Sequence, residues 1–349
     1  MSSLLLVLGS LAFPSIVGPE DPPRPYQFIS TEADDVSVTG LNERGDITGF
    51  EWVEDDKYPG VIGQRPFFLR GQSKVVLPLL KGYTATFPAA VSDDGIVVGH
   101  AGKPSTPGAP VPMRNQAFLW DEAGGIRGLG TLPGDASSFA SGVTRDGKRI
   151  SGFSVGANRS RACVWDRVGD EWKATALPQS GPLGSQVVPI SGDGRFVAGV
   201  DGSIPCLWSR TEDGRWSRED FGTPSSLIPR GVNNSGTVVG LRYPDDGTRR
   251  AVLWTRDGGL KTLDLPTGYA RSEAMAVNDS GVIVGMVDGP NGSDIGPDAF
   301  LFENGHLRLI REGGPNLVGA TAINNHRQIA GTTEKAEEEE KPRPDPTKP

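Results

Sequence analysis

Cysteine is nearly absent: 349 residues carry two, Cys163 and Cys206. That is too few for a disulfide framework. The three histidines, His100, His306 and His326, stand at no ligand spacing, so a Cys/His metal cluster is not expected either. Basic runs are missing. With a net charge of −8 and no clustered Lys and Arg, the chain lacks the means to neutralise a phosphate backbone, which argues against nucleic acid as a partner. No apolar run approaches the ~20 residues of a membrane-spanning helix. A His-Glu-x-x-His helix, a phosphate-cradling loop and a Gly-x-Ser-x-Gly elbow are all lacking, so no cofactor and no catalytic residue is predicted.

Turn-formers are abundant instead. There are 48 glycines and 29 prolines, a load that implies many tight turns and few long helices. They are placed periodically. An apolar residue, then Asn, Asp, Ser or Thr, a short turn, a β-branched pair and Gly recurs seven times. The copies are LNERGDITG from Leu41, VSDDGIVVG from Val91, VTRDGKRISG from Val143, ISGDGRFVAG from Ile190, VNNSGTVVG from Val232, VNDSGVIVG from Val277 and INNHRQIAG from Ile323. Each reads as a hairpin whose turn residues tolerate positive φ. The residue before each copy is compact (Gly40, Ala90, Gly142, Pro189, Gly231, Ala276, Ala322), as an inner strand crowded around an axis requires.

A second motif follows the first six hairpins: PFFL, AFLW, ACVW, PCLW, AVLW and AFLF, ending at Leu69, Trp120, Trp165, Trp208, Trp254 and Phe302. Such unbroken apolar runs suit a strand buried on both faces, with the aromatics as packing between sheets. A fourth strand is expected at Leu129–Leu132 and Leu263–Leu265. The predicted fold is all-β: a closed β-propeller of seven four-stranded antiparallel sheets, the last composite from both termini, with six blades as the alternative. Tyr26–Ser30 is expected to supply the outermost strand of the composite sheet. The predicted domain spans 26–331 and reads as a monomer.

The flanks differ in character. Residues 1–25 begin with an apolar stretch and small residues at Ser10-Leu11-Ala12, resembling an export signal and linker, although the first basic residue is Arg24. Residues 332–349, with Glu337–Glu340 and four prolines, are expected to be disordered.

QAFLW (Gln116–Trp120), LGTLPGDASSFASGV (Leu129–Val143) and the Asn-x-Ser-Gly turns at Asn233 and Asn278 resemble the HAF-type extracellular repeat. The likeness covers about residues 26–331 and implies an exported bacterial protein, periplasmic or extracellular, with a propeller-like array. The His that precedes Ala-Phe in that family is replaced here by Gln116, Arg161, Ile204, Arg250 and Asp298, so no role of that His carries over. WD repeats have a similar period, but their signature dipeptides do not recur through these units.

Candidate chemistry is sparse. The turn acids and amides (Asp93, Asp94, Asp146, Asp193, Asn233, Asn278, Asp279, Asn324) are explained by turn hydrogen bonds. Cys163 and Cys206 hold equivalent places in neighbouring units and read as buried free thiols. Asp288–Asp298 is rich in oxygen ligands but matches no calcium motif. Loop length is more informative. Between the second and third strands the loops run to 16 residues (50–65), 17 (100–116), 9 (153–161), 5 (200–204), 10 (241–250) and 13 (286–298). The three longest belong to units 1, 2 and 6, which a closed ring gathers on one arc. Trp52, Tyr58, Asp288, Asn291 and Asp294 are the candidate partner-binding residues there. The function read from the sequence is a non-catalytic binding or scaffold protein for a protein or glycan partner. The alternative is a propeller enzyme, a lyase or hydrolase, with its site in the central channel.

Overall fold

The computed structural model describes residues 6–10, 26–27, 36–54, 62–102, 114–181, 184–290, 297–310 and 317–333. These form seven four-stranded antiparallel sheets. Six are continuous in sequence, each running from inner to outer strand. Sheet 1 is Val36–Leu41, Ile47–Glu54, Ile62–Arg70 and Ser73–Val76; sheet 2 is Ala85–Val91, Val97–Gly102, Gln116–Asp121 and Gly125–Gly128. Sheet 3 is Ser137–Val143, Arg149–Val155, Ser160–Val168 and Glu171–Ala176; sheet 4 is Ser185–Ile190, Phe196–Asp201, Ile204–Arg210 and Trp216–Asp220. Sheet 5 is Ile228–Val232, Val238–Arg242, Arg250–Thr255 and Gly259–Thr262; sheet 6 is Arg271–Val277, Ile283–Asp288, Asp298–Glu303 and His306–Leu309.

Sheet 7 joins the two ends of the chain. Leu317–Ile323 and Ile329–Thr333 are its inner strands, Leu6–Ser10 pairs with Ile329–Thr333, and Tyr26–Gln27 lies outermost. The composite sheet therefore takes its third strand from Leu6–Ser10, inside the segment that reads by sequence as signal and linker. Tyr26–Gln27 alone of Tyr26–Ser30 is strand. Residues 334–349 lie outside the described residues.

The ring is closed. Each gap between neighbouring sheets holds one apolar cluster, including Val38 and Phe67 with Ala330 between sheets 1 and 7. The third-strand positions lie at the centre of this packing: Trp165 and Trp208 are fully buried, and Trp120, Trp254 and Leu69 nearly so. Cys163 and Cys206 are buried free thiols within it. Burial pushes the Cys206 thiol up to about 12 and the Cys163 thiol further still.

The fourth strands lie earlier than the sequence indicated, at Gly125–Gly128 and Gly259–Thr262. Outer strands are half wet, so their residues are polar. The leucines that drew attention sit just past the strand, where the chain turns inward. Leu77, Leu129, Leu177, Phe221 and Leu263 are buried there, each donating its N–H to a carbonyl of the adjoining third strand.

Every inner strand has a register shift just before its turn, for instance between Val38 and Gly40 and between Ala274 and Ala276. The glycine closing each motif is its counterpart. A Cβ on Gly99 or Gly285 would lie 2.0 Å from the carbonyl oxygen of Phe87 or Glu273. The bulge turns that carbonyl toward the second strand, and only glycine leaves room for it.

Candidate functional site

The inner strands surround a channel with two chemically different ends. Hairpin turns ring one end. The other end, the loop-side mouth, carries the connections into each inner strand and those between second and third strands.

The turn end is laced together by hydrogen bonds. Its polar residues bond between sheets as well as within their own turns. Asn42 Nδ2 donates to Ser92 O (2.8 Å), Asn233 to Asn278 O (2.9 Å), Asn278 to Asn324 O (3.1 Å) and Asn324 back to Asn42 O (2.9 Å). Where the position is Ser or Thr, the shorter side chain stays in its own turn, and backbone bonds such as Asp93 N to Arg145 O and Arg145 N to Gly192 O join the sheets. The next residues form a second circle, with Asn234 N donating to Asp279 Oδ1, Asp279 N to Asn325 Oδ1, Asn325 N to Glu43 Oε2 and Glu43 N to Asp93 Oδ1. Arg145 of sheet 3 reaches Asp279 of sheet 6 (2.6 Å) and Glu43 of sheet 1 (3.1 Å). Arg145 and the turn amides and acids, with an aliphatic circle that includes Leu41, Val143 and Val277, line a mostly polar space of about 170 Å³. Burial alone would raise the Asp279 pKa. The hydrogen bonds from Asn234 N, Arg145 and Asn325 outweigh it and hold the carboxyl below its usual range.

The loop-side mouth breaks the repeat. The cross-strand pairs one step ahead of the pair that adjoins each bulge are Ser37/Phe50, Phe87/His100, Phe139/Phe153, Gln186/Val200, Ile228/Leu241, Glu273/Met286 and Gly319/Thr332. Sheets 1–3 fill this row with half-buried rings. Phe87 stacks on His100 (4.9 Å), His100 meets Phe139 (4.9 Å) and Phe139 stacks on Phe153 (4.7 Å). Trp52 stands edge-on to Phe50 at 5.4 Å. Burial among the rings lowers the His100 pKa to about 4. Beside the row is a polar depression of about 440 Å³ lined by Tyr83, Arg114, Asn115, Gln116, Thr131 and Asp135.

Sheets 5 and 6 carry charge there instead. Arg230, the bulged residue of sheet 5, donates Nε to Glu273 Oε1 (2.7 Å). Arg249 bridges Glu273 Oε2 (3.3 Å) and Asp288 Oδ2 (2.6 Å), and Arg271 Nε lies 3.7 Å from Asp288. The result is an alternating chain, Arg230–Glu273–Arg249–Asp288–Arg271, with three cations and two anions.

Of the sequence candidates, Trp52 is exposed (42%) on a sheet 1 hairpin that pairs as far as Glu54 with Ile62, and Asp288 is a link in the ion chain. Tyr58, Asn291 and Asp294 lie outside the described residues. The sequence reading missed Arg230, Arg249, Glu273 and the ring row. Their signal was departure from the repeat at aligned positions.

The acids at hand are already paired. The buried carboxylates among the described residues, Asp46, Glu51, Asp201 and Glu273, each meet a cation: Arg70 (3.2 Å), Lys74 (2.5 Å), Arg218 (3.2 Å) and Arg230 (2.7 Å). Each of these four carboxylates is engaged in an ion pair. Among the described residues no group of three or more His, Cys, Asp or Glu converges as a metal site, and no helix is long and apolar enough to cross a membrane.

No protein-family model matches the chain, and no curated protein sequence matches it. Solved structures share its fold. The puromycin-hydrolysing peptidase of Mycobacterium tuberculosis superposes with a TM-score of 0.50 at 15% identity, over 80% of this chain and 46% of that one. The chain thus spans about half the length of that peptidase. The β-propeller domain of the Trilobed protease from Pyrococcus furiosus gives 0.51 at 9% identity, over 82% and 88%. That domain has an open velcro topology, whereas here both chain ends share one sheet. Virginiamycin B lyase from Staphylococcus aureus gives 0.51 at 13% identity, over 86% and 96%. At these identities the likeness establishes a β-propeller.

Proposed function

We propose that the protein is a binding module whose site is the loop-side mouth of the channel. One observation carries this reading: two groups that break the repeat, the ring row of sheets 1–3 and the ion chain of sheets 5–6, gather at that mouth, while at the turn end the residue that breaks it, Arg145, is paired with Glu43 and Asp279. Side chains that serve only the fold recur with it, as the third-strand tryptophans do. Trp52 and the half-buried rings supply the aromatic anchors that binding surfaces favour. The HAF-type likeness supports the further proposal that the protein is exported.

A second reading, a propeller enzyme of the lyase or hydrolase type, draws on the shared fold with virginiamycin B lyase, of which 96% is covered. It would place its chemistry at the same mouth. The matched carboxylates favour binding.

A thermal-shift screen of glycans and small molecules tests the choice. Hits should lose their shift in Trp52→Ala and Phe139→Leu and keep it in Arg44→Gln on the turn end, where Arg44, among the described residues, pairs with exposed Asp94. Hits indifferent to both mouth substitutions would refute the site. Mass spectrometry of the recovered hit separates the readings, since turnover would favour the enzyme.

A further inference from the structure

Two sheets carry a tryptophan on the outer strand. Trp172 of sheet 3 pairs with Arg167, and Trp216 of sheet 4 pairs with Arg210, so the two hold the same place in the repeat. Both are half-buried. Over Trp216, sheet 3 lays Arg149, with its guanidinium carbon 5.6 Å from the ring centre. Arg149 Nε also donates to Asp166 Oδ1 at 2.6 Å. In the gap between sheets 3 and 4 a guanidinium thus lies on an indole and meets a carboxylate, a favourable cation–π arrangement.

The gap between sheets 2 and 3 repeats two of those three parts. Trp172 is there, and Asp121 follows Trp120 as Asp166 follows Trp165. The third part differs. Val97 faces Trp120 as Ile150 faces Trp165, which puts Ile96 at the place of Arg149. The gap opens there as a depression of about 820 Å³, lined by Ile96, Trp172, Asp94, Asp121, Asp170 and Glu171. Arg127 and Arg167 also line it, but each folds back on its own hairpin. Arg127 bonds Asp121 and crowds Gly124, and Arg167 Nε donates to Gly169 O at 3.2 Å. Among the described residues no cation stands over Trp172. Arg44 faces Asp94 (3.5 Å), Arg127 faces Asp121 and Arg167 faces Asp170 (4.0 Å), whereas Glu171 has no ion pair among the described residues. The lining therefore keeps one carboxylate beyond its cations.

We propose that this depression binds an arginine side chain of a partner polypeptide, its guanidinium lying on Trp172 as Arg149 lies on Trp216 and its charge balanced by Glu171. The site is on the outer rim of the turn end and does not rest on the mouth reading. Two features select a polypeptide over a small guanidino compound. The depression exceeds the volume of one side chain, leaving room for the neighbours of an arginine in a chain. It is also bordered, through Arg127 and Gly128, by the outer strand Gly125–Gly128, which pairs on one side alone with Gln116–Asp121. The other edge of that strand offers backbone N–H and C=O groups to an extended segment. The net charge of −8 attracts a basic partner to it.

The probe is the peptide acetyl-Gly-Arg-Gly-amide, titrated calorimetrically against the full chain. Its citrulline counterpart is the neutral isostere, and methylguanidine is the cation without a backbone. The arginine peptide should bind roughly tenfold more tightly than either. Trp172→Leu should remove that preference. Ile96→Arg, which supplies the residue that sheet 3 has at this place, should block the site. Glu171→Gln, at an exposed position, should weaken binding and keeps the test open if either of the other variants fails to fold. Trp52→Ala, at the mouth, should leave binding unchanged. Melting temperatures show which variants are folded. If the citrulline peptide binds equally well, the cation assignment is overturned. If methylguanidine does, the polypeptide partner is. Binding that ignores Trp172, Ile96 and Glu171, or that is lost in Trp52→Ala, places the peptide elsewhere and overturns the site, as does no binding at all. Each of these results leaves the mouth to its own ligand screen.

Discussion

His100 lies between Phe87 and Phe139, where an imidazolium would lose its water shell among rings. Desolvation lowers its pKa to about 4, against an ordinary 6.5. Between those values the unfolded chain holds a proton that the folded protein refuses. The stabilisation is therefore complete above pH 6.5 and falls away as pH drops toward 4, by on the order of 3 kcal/mol. Asp279 acts lower down: its depressed pKa gives stability that is present above the ordinary carboxylate value and lost as pH falls through the folded one. Denaturant titrations at pH 7 and pH 5 separate the two. His100→Phe, which keeps the stack without a titrating group, should show a much smaller loss at pH 5 than the parent. An equal loss in both proteins would mean that His100 is not the group responsible.

At the scale of elements, the two tryptophans of greatest interest differ because their strands do. Trp208 belongs to a third strand packed on both faces and donates Nε1 to Pro178 O at 2.7 Å. Trp52 extends a hairpin beyond the body of sheet 1 into solvent. Trp208→Ala should lower unfolding free energy by ~3–5 kcal/mol, whereas Trp52→Ala should change it by less than ~1 kcal/mol, as surface substitutions do. Chemical denaturation of the two variants measures both. Similar losses would overturn the division between a packed strand and a presenting hairpin. The cysteines follow the same logic: buried in third strands with thiol pKa values pushed up, they should resist alkylation until the sheets open.

For the whole molecule, closure rests on sheet 7, whose strands come from opposite ends of the chain. Leu6–Ser10 covers the edge of Ile329–Thr333 through the pairs Leu6 with Gly331, Val7 with Ala330 and Leu8 with Ile329. Removing residues 1–27 would bare that edge and leave a two-stranded sheet between sheets 6 and 1. Two-stranded sheets are marginal, and exposed edges recruit other chains. The truncated protein should melt several degrees lower and show concentration-dependent association by light scattering. A melting temperature equal to that of the full chain would show that Leu317–Ile323 and Ile329–Thr333, held by the turn ring through Asn324 and Asn42, close the propeller unaided.

The amino-acid sequence by itself determined the repeat unit, because its instructions are local. Positive-φ glycines such as Gly45, Gly95 and Gly281 mark the hairpins, and the third-strand runs mark the core from one short window each. Even the glycine at the bulge announces a close backbone approach. Only the tertiary structure decided which distant residues meet. Asn324 closes on Asn42 across 282 positions, Arg145 on Asp279 across 134, and Arg230 on Glu273 across 43. A bulge also resets which side chain reaches the next sheet, so the ring row and the ion chain appear only once the inner strands are in register around the axis. The third strand of sheet 7 was hidden for the same reason: Leu6–Ser10 has no periodic signature of its own, and its place is defined by the edge it covers at the far end of the chain.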